Sequence, residues 1–180
     1  MLTILVGSTE MFDDEHQEFV TDGGIQLELE HSLLSLSKWE SQWEKPFLGK
    51  ESKTPEEVLS YVEAMTLTPN PPAEIFQQLS EENFAAINKY IDKSMTATWF
   101  ADTPGAPRTS EVITSELIYY WMTAFNIPFE CEHWNLNRLF TLIRICNVKN
   151  AKPKKMSRAE MAQRNRELNA QRKKQLGTQG

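Results

Sequence analysis

The chain has 180 residues, 19 Lys and Arg against 25 Asp and Glu for a formal charge of −6, and 40% hydrophobic residues, among them nine Phe, five Trp and four Tyr. That apolar content excludes a wholly disordered polypeptide, and the length is that of one domain with a real core plus a small appendage. No apolar run approaches the roughly 18 to 20 residues of a membrane span, and Cys131 and Cys146 are too few for a disulfide framework.

In chain order, Leu2 to Val6 and Ile25 to Leu29 form two short apolar runs, the second alternating with polar side chains as a half-buried strand does. Gly23-Gly24 reads as the turn before the second run, so a small amino-terminal hairpin or sheet is expected. From Ser32 the period lengthens: Leu33, Leu36, Trp39 and Trp43 stand three or four apart, which predicts an amphipathic helix stopped near Pro46. Thr54-Pro55-Glu56-Glu57 supplies an N-cap, a proline at the first helical position and the Glu of a capping box. Ile75, Phe76 and Leu79 suggest a short helix, and Ser80-Glu81-Glu82 starts another.

Thr96 to Phe100 reads as a strand or extended segment, and Asp102 to Pro107 as a loop. Helices over Ser110 to Phe125 and His133 to Cys146 are predicted to pair as the core hairpin. The expected fold class is therefore mainly α within an α+β arrangement: residues 1–30 a β-rich edge, 31–150 mainly helical, and 151–180 a separate basic helical arm.

Charge divides the chain at the same place. Lys152 to Gly180 holds nine Lys and Arg against Glu160 and Glu167, while the preceding body holds ten basic and twenty-three acidic side chains. Ser157-Arg158-Ala159-Glu160 is a capping box that opens a helix with only Met161, Leu168 and Leu176 as sizeable apolar groups. Such a helix has little to bury, so it is expected to order on a partner. Arg164, Arg166, Arg172, Lys173 and Lys174 are the candidate partner contacts. An acidic protein surface, including another copy of this chain, suits them better than nucleic acid, since the arm has no aromatic residue for base stacking.

Catalytic patterns are sparse. Cys131, His133 and Cys146 lack paired zinc-ligand spacing and a fourth ligand, so no metal is expected. Asp13-Asp14-Glu15-His16 and Glu28, Glu30 and His31 fit no EF-hand order and read as solvated charge. Neither a nucleophile elbow nor a phosphate-cradling glycine loop is present, so no cofactor is assigned and the chain reads as a non-enzyme. Trp39, Trp43, Trp99, Trp121 and Trp134 read mainly as core rather than binding surface. The amino terminus lacks the layout of a secretory signal, so a cytoplasmic protein is expected.

Several blocks resemble proteins encoded among the tail genes of long-tailed bacteriophages and regarded as tail assembly chaperones. They are Leu29 to Leu33, Ser37 to Ser41, Trp43 to Leu48, Met95 to Phe100, Ile113 to Met122, Asn126 to Cys131 and Trp134 to Leu139, followed by the basic ending. The resemblance implies a non-catalytic protein that coats the tape-measure protein in the host cytoplasm, helps recruit tail-tube subunits, self-associates, and leaves before the tail is complete. A structural virion component, such as a neck, tube-end or baseplate adaptor, is the alternative it leaves open.

Overall fold

The computed structural model describes residues 1–13, 18–100, 111–151 and 158–177. It is mainly helical with one antiparallel hairpin, the fold class read from the sequence. Two compact units divide it, Met1–Asn147 and Val148–Gly180.

The hairpin is longer than its apolar runs suggest. Strands β1, Leu2–Asp13, and β2, Glu18–Leu29, pair from Leu2↔Leu29 to Val6↔Ile25 and again from Ser8↔Gly23 to Asp13↔Glu18. Gly23 and Gly24 are thus not its turn but lie inside β2, where φ values of 74° and 90° take a backbone conformation open chiefly to glycine. Gly7, at φ 72°, does the same on the facing strand. Period-two alternation puts Ile4, Val6, Leu27 and Leu29 on one buried face.

Helix α1, Leu33–Trp43, starts at Ser32, whose hydroxyl accepts from the Ser35 N–H while the Ser35 hydroxyl accepts from the Ser32 N–H. It ends where Glu44 takes a left-handed conformation, two residues before Pro46. Helix α2, Pro55–Met65, has the capping box read from Thr54 and Glu57. The short helix near Ile75 is a 3-10 turn, Ala73–Gln78, and α3, Glu81–Ile91, is capped by Ser80 with Asn83 closing the box. No strand forms over residues 96–100.

The next two helices are shifted from their predicted bounds. Helix α4 is Ser115–Ala124, capped by Thr114. It stops because Asn126 turns left-handed and the Ile127 N–H reaches back to the Met122 carbonyl at 2.8 Å, just ahead of Pro128. A 3-10 turn, Phe129–His133, follows, and α5 runs Leu136–Asn150. Helix α6, Arg158–Leu176, belongs to the second unit. The Ser157 cap proposed for it lies outside the described residues.

Two hydrophobic clusters fill the first unit, and α1 serves both. Leu33 and Leu36 pack with Ile118 and Met122 of α4 and Leu136, Leu139 and Ile143 of α5. Trp39 points into the other cluster, formed by the hairpin face, α2, the Ala73–Gln78 turn and α3. The pair α4 and α5 is therefore not a hairpin sufficient in itself; α1 completes its core. Each fully buried aliphatic or aromatic side chain contributes about 1.5 to 3 kcal/mol, and the hairpin supplies four such residues. It carries more of the core than a sparse edge would.

Candidate functional site

The five residues singled out as partner contacts all lie on α6. Every described side chain from Arg158 to Gly177 is exposed, and the helix buries none of them. Arg164, Arg166, Arg172, Lys173 and Lys174 are spaced so that 100° steps distribute them around the axis, not along one stripe. Lys173 and Lys174 sit in the last turn, where cations favour the helix dipole. The Gln163 amide donates to Glu167 Oε1 at 3.3 Å, an i to i+4 contact. Met161 and Leu168, seven residues apart, stand close together in projection and are half or more than a third exposed.

A second feature escaped the sequence reading. Glu30 and His31, expected as solvated charge, are buried at 8% and 2% exposure. The reason is topological: beyond β2 the chain crosses between the two clusters before entering α1. On one side the Glu30 N–H donates to the Met65 carbonyl at 2.9 Å and the Leu67 N–H to the Glu28 carbonyl at 2.7 Å. On the other the Leu136 N–H donates to the His31 carbonyl at 2.7 Å. The backbone is thus satisfied from both flanks, as a buried crossing segment requires.

The side chains of this crossing are satisfied too. Glu30 Oε1 accepts from the Tyr90 hydroxyl at 2.7 Å and from Asn135 Nδ2 at 3.2 Å, while Oε2 lies 2.6 Å from the Met1 amine. His31 Nδ1 shares a 2.6 Å hydrogen bond with the Tyr61 hydroxyl. Burial lowers the His31 pKa to about 4, against the smaller upward pull of Glu30 and Asp92, so the ring is neutral at pH 7. Burial likewise pushes the Tyr61 and Tyr90 phenols above their ordinary range. Ser32, immediately after the pair and an N-cap, was the signal that Glu30 and His31 occupy a fixed strand-to-helix junction.

Glu40 makes a third fixed polar point. Its two oxygens accept from the Phe47 N–H at 2.8 Å and the Ser115 N–H at 2.7 Å, tying the α1 exit to the start of α4. Trp39 Nε1 donates to the Glu57 carbonyl at 2.7 Å and Trp43 Nε1 to Ser60 Oγ at 2.7 Å, joining α1 to α2. Trp39 is core, whereas Trp99 is 83% exposed; Trp134 is half-buried with the Arg138 guanidinium 4.3 Å over its ring.

Of the zinc candidates, Cys146 packs half-buried against the cluster that buries Cys131, while His133 lies outside it. Cys131 is buried in the second cluster with its thiol pushed up by burial, and the His133 side chain is 63% exposed with Nε2 3.6 Å from Glu132. Among the described residues no three His, Cys, Asp or Glu converge on one point. Residues 14–16 of the first acidic stretch lie outside the described residues. No described helix is long and apolar enough to cross a membrane.

These interactions join several of the blocks singled out in the sequence. Leu29 to Leu33 is the crossing segment, Glu40 and Phe47 bring two further blocks to Ser115 in a third, and Asn135 carries a fourth to Glu30. Compared with known proteins, the chain matches no family model, no curated protein and no solved structure.

Proposed function

We propose that this protein is a non-catalytic tail assembly chaperone of a long-tailed bacteriophage, which holds the tape-measure protein and aids assembly of the tail tube around it. The observation that carries the reading is a basic helix of 19 residues with no described side chain buried, borne by a chain whose earlier part is acidic and bears the phage-like blocks. A helix without an apolar face gains little from folding alone, so its order and charge serve contact with another molecule. Cations on all sides suit a long acidic or helical client that approaches from several directions, and many copies along one client gain from multivalency. The fixed polar points of the body serve its architecture rather than a reaction.

The test is affinity capture of the tagged chain from infected cells, combined with mass spectrometry of purified particles. Enrichment of the tape-measure protein in the capture, with the chain missing from finished particles, is the result expected of a chaperone. Stoichiometric presence in particles would assign it instead to the neck, tube end or baseplate, and failure to capture any tail protein would refute the reading.

A further inference from the structure

The first unit contains a cleft of about 510 Å³ lined by His31 together with Phe47, Ile91, Leu136 and Phe140. That volume is in the range of ligand-binding clefts. The His31 ring is 2% exposed and held through Nδ1 by Tyr61. Nε2 makes no hydrogen bond within the described residues, yet among them no fully enclosed side-chain nitrogen or oxygen goes unpartnered. Nε2 therefore opens on the cleft, whose apolar groups are interspersed with the polar side chains of Asp92, Ser94, Thr96, Asn137 and Thr141. Of these, Asp92 is exposed, without an ion pair among the described residues, and close enough to act electrostatically on the imidazole. Its neighbour Lys93 does not line the cleft.

We propose that this cleft anchors a polypeptide segment of the partner, taking one large aliphatic side chain against Phe47 and Phe140, a backbone amide group on His31 Nε2, and an adjacent lysine or arginine on Asp92. The choice of a peptide follows from the imidazole: Nε2 donates in one tautomer and accepts in the other, and a peptide backbone presents both a C=O and an N–H. The acidic balance of the body, with ten basic and twenty-three acidic side chains before Lys152, favours the cationic neighbour. The inference rests on the reading of the protein as a polypeptide binder only for the source of that segment. It gives the body a contact of its own, independent of α6.

The test titrates three blocked peptides into the isotope-labelled full chain and follows the His31 ring and the backbone amides of Phe140 and Thr141 by NMR. The probes are acetyl-Ala-Leu-Lys-Ala-amide, its Leu to Ala counterpart, and its Lys to Glu counterpart. Saturable shifts are expected with the first, with about tenfold weaker binding after loss of the leucine and about two- to fivefold weaker after charge reversal. Thr141→Arg, which adds a long side chain and a positive charge to the cleft lining, should weaken binding of the first peptide about tenfold or more with an unchanged melting midpoint. Absence of saturable shifts at these residues, or equal affinity for all three peptides, would overturn the proposal, and the ranking on the unaltered chain decides this even if Thr141→Arg folds poorly. Failure of the peptides with client capture intact refutes the cleft alone, whereas failure of both refutes the binder reading as well.

Discussion

At the scale of single residues, polar groups fix the body as firmly as the apolar ones do. Glu40 is 7% exposed and satisfies two backbone N–H groups that have no other partner among the described residues, so Glu40→Ala leaves a buried and a part-buried donor unpaired. A loss of about 3 kcal/mol is expected by denaturant unfolding, with Glu40→Gln retaining part of it. His31 yields a pH signature. Its folded pKa, about 4, lies below the ordinary value of 6.5, so the unfolded state binds the proton first as pH falls. The stability it contributes is complete above pH 6.5 and is lost toward pH 4, at about 1.4 kcal/mol per pH unit at most. The wild-type stability curve should therefore fall more steeply over that window than that of His31→Gln; parallel curves would refute the neutral buried imidazole. Neither residue's burial was legible in the sequence. Glu30 and His31 follow an alternating strand, and nothing local reveals that α2 and α5 close over both sides of them.

At the scale of elements, local signals were read well and long-range ones were not. Thr54 with Glu57, and Ser80, marked helix starts because a cap is satisfied within one turn of chain. The hairpin was underestimated because two glycines that usually signal a turn serve here inside a strand. Gly24 at φ 90° would place an added Cβ 3.0 Å from that of Ser8, so Gly24→Ala is expected to cost about 1 to 3 kcal/mol. Gly23→Asn, where an added Cβ meets nothing within 4 Å and the side chain tolerates left-handed backbone, should cost less, as thermal unfolding would register. The double role of α1 was equally hidden, since helical spacing shows which residues are apolar but not that Leu33 and Leu36 face one cluster while Trp39 faces another. For α6 composition and charge were legible beforehand, and the structure adds a helix with every described side chain exposed. Its amides should exchange with deuterium faster than those of α1, α4 and α5, and should become protected when the client is bound.

At the scale of the whole molecule, an acidic unit with two hydrophobic clusters is joined in sequence to a basic helix, and the role we propose for the chain is holding rather than turnover. The charge division was legible from composition alone. The cleft over His31 was not, because its lining comes from residues as far apart as Phe47, Ile91 and Phe140. The most direct measurement of the proposed function is co-expression with a cognate tape-measure protein, comparing the unaltered chain with a variant carrying Gln at Arg164, Arg166, Arg172, Lys173 and Lys174. The account predicts a soluble client held in a complex by the unaltered chain, with binding weakened and its salt dependence flattened in the variant. A client equally soluble without this protein, and never found in complex with it, would contradict the account.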